Sequence, residues 1–341
     1  MNKKTLKWLL TFNFLFFVQL SWATPPTTPC SNLHYDFQKP YQQYYQEAQR
    51  NKCLKKWTVL IYMAADNDLT PYALWDLYEM EAGYQSQRKY SGSTKRTDLI
   101  VELDTALTNE TKRIHVFQTK TPYQTLSLDY FKKQSEKNIQ SPVVMATSEK
   151  NSISPSDRFY QFLKWGTSQY PSEHYMVIVW GHGKGWQGNS KNNSFGGIGF
   201  DHSSEDFLSI PQIHQALKKV SHEQLKGKPI DVYASDACLM QMIEVSYELS
   251  DVTRFIVGST QTQNFLGLPY RRLLYQLNTC QFAGYKTHTY GKNTRCESKT
   301  HPIDEPFLMA KMIPKVFHQS FNGHHSTQGR SDRNAIRLIT L

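Results

Sequence analysis

The sequence predicts an α/β domain of three layers, a mainly parallel sheet covered by helices on both faces. Two observations lead there. Residues 57–63 (WTVLIYM), 175–180 (YMVIVW) and 255–258 (FIVG) are continuous apolar runs, as strands buried on both faces require. Helix-like stretches fall between these and two similar runs, 98–103 (DLIVEL) and 230–234 (IDVYA), and that alternation builds parallel sheets with crossover helices.

The first strand ends in Ala64-Ala65-Asp66-Asn67-Asp68, and a helix is expected over 70–81, with Pro71 suited to its first turn. A short strand is expected at 113–118, and residues 119–152 are polar with little periodicity. Residues 157–168 read as a helix, since Phe159, Phe162, Leu163 and Gly166 share a face. The strand at 175–180 stops at Gly181-His182-Gly183, and 184–199 is a Gly-, Asn- and Ser-rich loop. Helices are expected near 211–220 and over 238–249, around the strand at 230–234. After Tyr270 the pattern weakens. The chain closes on the strand-like run 335–341, which either ends a truncated chain or completes the sheet. The domain is therefore placed at 55–270, with an arm at 24–54 and an extension at 271–341.

Lys3, Lys4 and Lys7 precede an apolar run that ends in Ser21-Trp22-Ala23, so residues 1–23 read as a cleaved signal peptide. The run is shorter than the roughly 20 residues of a spanning helix, and no later stretch is long enough. The mature protein is expected outside the cytoplasm, secreted or periplasmic. Losing the three leader lysines leaves 36 basic against 29 acidic residues and lowers the net charge from +10 to +7. That charge is dispersed, which argues against a nucleic-acid partner. Five cysteines in an oxidising compartment leave at least one thiol unpaired. Cys30 with Cys53, and Cys280 with Cys296, flank segments that local disulfides could close; Cys238 is expected to stay free. His288, His301, His318, His324 and His325 match no zinc spacing, so no metal site is expected.

Two strands end in reactive side chains, His182 and Cys238. Ligands of a parallel sheet bind beyond the carboxyl ends of its strands, so both can face one crevice. A helix starting at Cys238 would favour its thiolate, and a neighbouring imidazole would add to that. Attack on a carbonyl also needs oxyanion donors, for which the backbone N–H groups of Gly183 and Cys238 are placed. Alone, His182 reads equally well as a turn residue, and Cys238 reads more readily as packing than as a nucleophile. Together, 56 residues apart with histidine first, they predict an imidazole–thiol pair.

Residues 57–69 (WTVLIYMAADNDL), 179–185 (VWGHGKG) and 235–249 (SDACLMQMIEVSYEL) resemble the clostripain family of cysteine peptidases, with weaker similarity through 258–270. The resemblance implies a caspase-like fold, cleavage of protein or peptide substrates after Arg or Lys, and activation by self-cleavage. It makes His182 the base, Cys238 the nucleophile and Asp236 the acid that holds a basic substrate side chain. Calcium dependence is implied by the resemblance alone; no loop matches a calcium pattern, and no cofactor is expected. Where the family tends to read Gly-Ser-Glu-Glu before a Pro/Gly turn, this chain has GSTQTQNF at 258–265, with neutral residues replacing acids. Lys184 and Lys191 are the basic residues of the loop after His182, and Lys191, within NSKNN, is the expected self-cleavage site. The altered 260–265 stretch favours one rival, a catalytically silent secreted binding protein; a second, an asparaginyl or transpeptidase activity, is opposed by Asp236.

Overall fold

The computed structural model describes residues 54–82, 91–94, 96–119, 126–148, 152–187, 196–279, 305–321 and 336–340. The expected leader, nearly all of the arm, Lys191, Cys30, Cys53, Cys280, Cys296 and the late histidines other than His318 lie outside them.

Among the described residues the main sheet has eight strands. Its centre is five parallel strands: β1 (Lys55–Ala65), β2 (Thr97–Thr105), β5 (Ser172–Trp180), β8 (Ile230–Asp236) and β9 (Thr253–Ser259), in spatial order β2-β1-β5-β8-β9. Antiparallel strands flank them. β3 (Glu110–His115) and β4 (Val143–Ser148) extend one edge beyond β2, and β10 (Ile336–Thr340) pairs with β9 at the other. The chain leaves β1 toward β2 and later returns to β1's other side through β5, so the order reverses at the β1/β5 boundary. Crevices that bind ligands open at the carboxyl ends beside such a reversal.

The two faces bury different helices. Val59, Ile61, Met63, Ile178, Val232 and Val257 pack with α1 (Thr70–Ala82), α6 (Tyr270–Thr279) and α7 (Pro306–Phe321). Leu60, Tyr62, Val177, Val179, Tyr233 and Ile256 face α3 (Pro155–Gln169), α4 (Ile210–Gln224) and α5 (Ile243–Glu248). Alternate residues of each strand point to opposite faces, so a run buried on both sides must be apolar throughout. Local signals start the helices: Ser154 caps α3 ahead of Pro155, and Ser209 with Gln212 forms a capping box on α4.

The structure corrects the sequence in several places. The helix expected over 238–249 is α5 alone and begins at Ile243, because Leu239 takes a left-handed φ of 62° that no helix accommodates. The expected loop to residue 199 already contains the start of β6 (Gly197–Asp201), which pairs with β7 (Asp206–Ser209) in a two-stranded sheet. The polar stretch 119–152 holds the four-residue α2 (Leu128–Phe131) as well as β4, whose residues are mostly exposed and so leave no apolar period to read. Beyond Tyr270, Leu273, Leu277, Met309, Ile313 and Phe317 join the core, and β10 takes a place in the sheet.

Candidate active site

Three adjacent parallel strands, β1, β5 and β8, release their chains at the same end of the sheet. Asp68 follows β1, His182 follows β5 and Cys238 follows β8.

Asn67 shapes the turn after β1. Its side chain donates to the carbonyls of Phe200 (2.6 Å) and Ala64 (3.2 Å) and accepts from the Leu69 N–H (2.8 Å). That leaves Asp68 exposed, with Oδ1 2.7 Å from His182 Nε2. The hydrogen bond from His182 holds the Asp68 carboxyl below its ordinary range. No sequence signal singled out Asp68, because the partner that gives it meaning is on another strand.

The His182 turn is pinned to β6. Gly199 N–H donates to the His182 carbonyl (2.8 Å) and Lys184 N–H to that of Gly197 (2.9 Å). This bridge leaves the Gly183 N–H out of its ladder. Gly183 also lets the two motif loops meet. A Cβ there would lie 2.3 Å from the Cys238 carbonyl oxygen and 2.9 Å from the Ala237 Cβ.

Cys238 is half-buried, the free cysteine among the described residues, and lies in a turn rather than at a helix N-terminus. The expected help from a helix dipole is therefore absent. The turn runs against the chain leaving β9: Gln241 N–H donates to the Ser259 carbonyl (2.9 Å) and Leu239 N–H to that of Gln261 (3.0 Å). One step further, Gln263 N–H points at Cys238 Sγ (3.2 Å), and that sulfur lies 3.9 Å from the Gln263 carbonyl oxygen. The imidazole is engaged with Asp68 and the thiol with Gln263.

Asp236, two residues before the thiol, ends β8 on the α1/α6 face and is buried. It accepts from the Leu268 N–H at both oxygens (3.0 Å each), from Tyr270 Oη (3.0 Å) and from Gln263 Nε2 (2.5 Å). Burial pushes its carboxyl up to about 6, against the pull of those donors. Gly267, at φ +59°, forms one wall; a Cβ there would come within 2.8 Å of Asp236 Oδ2.

Two further acids lie under this corner. Asp76 of α1 is buried, accepts from Trp180 Nε1 (2.8 Å), and is raised well above a normal carboxyl by burial and then by Asp236. Glu79, one helical turn on, is also buried and raised, with Arg271 opposing that rise. Neither is among the residues expected from the sequence to form the site. The available signal was charge at the i, i+3 spacing among Ala73, Leu77 and Met80, on the face a helix normally keeps apolar. Trp180 thus has a reason to precede Gly181-His182: its indole N–H meets the buried Asp76 carboxyl.

Among the described residues no three His, Cys, Asp or Glu are grouped to hold a metal ion. Lys191 lies outside the described residues. Lys184 is described, with its ammonium 4.4 Å from the centre of the Phe200 ring.

Three-layer α/β folds that present an imidazole and a thiol from neighbouring strand ends are found among caspase-like cysteine peptidases. The model of the Clostripain family, peptidase family C11, matches residues 61–287, more than half of the chain, and the chain belongs to that family. Clostripain of Hathewaya histolytica is 24% identical over 213 residues, which are 62% of this chain and 39% of that protein. A secreted C11 cysteine protease from Bacteroides thetaiotaomicron, solved with an irreversible peptide inhibitor, has a TM-score of 0.54 and 23% identity. That match covers 84% of this chain and 66% of the other. An inactive zymogen C11 protease from Parabacteroides distasonis has a TM-score of 0.55 and 18% identity, over 84% and 62%. The chain thus spans about two fifths of its curated relative and under two thirds of these solved ones. At these identities the solved structures speak for the fold alone.

Proposed function

We propose that the chain is an exported cysteine endopeptidase that hydrolyses peptide bonds after Arg or Lys. The observation that carries this is the position of the buried Asp236 carboxylate, two residues from Cys238 and one strand away from His182. A carboxylate there offers charge-assisted bonds to a guanidinium or ammonium, and fixes the following carbonyl near the thiol.

His182 takes the Cys238 proton, and the thiolate attacks the substrate carbonyl. The N–H groups of Gly183 and Cys238 receive the oxyanion, which fits their freedom from backbone partners. His182 then protonates the leaving amine, and water hydrolyses the thioester. Asp68 orients the imidazole through the 2.7 Å contact. Thiol and imidazole supply every proton and electron pair these steps need, so no cofactor enters them.

The expected self-cleavage after Lys191 belongs to the same proposal. Lys184 is the poorer site, since its N–H is bonded to Gly197 and its ammonium sits on Phe200, whereas a protease needs an extended, unpaired strand. Intact mass should show two fragments divided after Lys191 in the wild type and a single chain in Cys238→Ala and Lys191→Ala. Export rests on residues 1–23; expression with and without them, followed by fractionation, tests it.

One observation favours the rival, a silent binding protein: Gln263 covers both the thiol and Asp236. Fluorogenic peptides ending in Arg, Lys and Asn separate the two. Rates after Arg or Lys no higher than those of Cys238→Ala would defeat the peptidase reading.

A further inference from the structure

Gln263 touches the two groups that the proposed reaction most needs to expose. Its backbone faces Cys238 Sγ on both its N–H (3.2 Å) and carbonyl (3.9 Å) sides, and its side-chain amide donates to Asp236 Oδ1 at 2.5 Å. An amide NH2 offers a carboxylate what a basic side chain offers it, N–H donors, but without the charge.

The seat suits an amide badly. Gln263 Oε1 is buried with no hydrogen-bond partner, so the bond from Nε2 is offset by the desolvation of an orphaned acceptor. A guanidinium or ammonium has donors only. It would fill the same seat with no orphan and with full charge against a buried carboxylate. Asp236 is also prepared for the exchange: Leu268 N–H and Tyr270 Oη hold it independently of Gln263. A neutral side chain would have to displace the amide without a compensating charge. Gln261 is bonded to Leu239, and Asn264 turns back on Leu266 and Gly267.

We propose that Gln263 is a specificity-determining gate: it occupies the Asp236 seat, covers Cys238, and is displaced by a cationic substrate side chain in preference to a neutral one. The gate rests on the reading of Asp236 as the seat of a basic side chain. A gate that must be displaced raises KM, and selects for the residue able to displace it.

The test uses the full chain with Gln263→Ala and Gln263→Glu, each also in an Asp236→Ala background. Gln263→Glu would set a carboxylate against the buried Asp236 and so favours the open position by repulsion, which guards against a loss of fold in one variant. Two rates are read: kcat/KM on Arg-, Lys- and Leu-ending fluorogenic peptides, and alkylation of Cys238 by iodoacetamide, which needs no specificity pocket. Opening should raise kcat/KM for the Leu peptide by about tenfold or more and for Arg and Lys by less, mostly through KM, so that the preference for basic residues narrows, and it should speed alkylation. The gain on basic peptides should vanish with Asp236→Ala, while the gain in alkylation persists. If the wild type cleaves after Arg or Lys through Asp236 and neither variant changes either rate, the gate is overturned and the pocket stands. Faster alkylation with no cleavage after Arg or Lys in any variant would sink the pocket, and with it the role of Gln263 in specificity.

Discussion

His182 Nε2 and Asp68 Oδ1 lie 2.7 Å apart, joining the turns that follow β5 and β1. An imidazole held at one nitrogen keeps a defined ring plane and tautomer, and so directs its other nitrogen. The family resemblance suggested a dyad; the fold adds a carboxylate behind it.

Asp68 is two-thirds exposed, and water screens such pairs. Asp68→Asn should therefore lower kcat by no more than about tenfold, in line with the roughly 1 kcal/mol of an exposed ion pair, and leave KM unchanged. Asp68→Glu should restore part of the loss. Steady-state kinetics of the two variants decide it; a change in KM alone would assign Asp68 to substrate binding instead.

Binding of a basic side chain requires ionised Asp236, whose carboxyl burial raises to about 6. KM for Arg and Lys peptides should rise as pH falls through about 6, while KM for any neutral-ended peptide that is turned over stays flat. The stability effect runs the other way. Because the folded protein holds this proton more tightly than the unfolded chain does, Asp236 destabilises the fold above about pH 6, and that penalty fades toward pH 3.8. Denaturation midpoints of Asp236→Asn against wild type should diverge most at neutral pH.

Gly183→Ala tests the close approach of the two motif loops. A methyl 2.3 Å from the Cys238 carbonyl oxygen must push the thiol turn away. Loss of kcat/KM by about a hundredfold or more is expected, of the order that follows removal of one oxyanion donor. Far-UV circular dichroism should remain that of the wild type.

Arg158 of α3 and Asp104 at the end of β2 form an ion pair 2.5 Å long, with both side chains buried. Removing one partner strands the other charge in the core. Arg158→Met should destabilise the protein by about 3–5 kcal/mol, read as a shift in the urea midpoint. Replacing both residues, as Arg158→Met with Asp104→Leu, should recover much of it.

The central strands were legible because each carries its own evidence. A segment such as Leu60-Ile61-Tyr62-Met63 has nowhere to go but a doubly covered strand. The strand-end positions of His182 and Cys238 follow from that pattern; their pairing as base and nucleophile is the proposal that the motifs local to each turn support. β4 leaves little to read because it is short and largely exposed, β7 because it has only four residues, and α5 is shorter than expected because Leu239, a good helix former, is held in a left-handed turn by its bond to Gln261.

Gln263, Asp68 and Asp76 mark the other side of that limit. Each is an ordinary polar residue in the sequence, and becomes significant only because β1, β5, β8 and β9 bring residues far apart in the chain within hydrogen-bonding distance. Hydrophobic period and local motifs, encoded over a few neighbouring residues, suffice for the class of fold and for placing His182 and Cys238 at the carboxyl edge of the sheet. What covers the thiol, what orients the imidazole and what occupies the Asp236 carboxylate were decided by tertiary structure, because hydrogen bonds between strand ends depend on register and distance that no local pattern specifies.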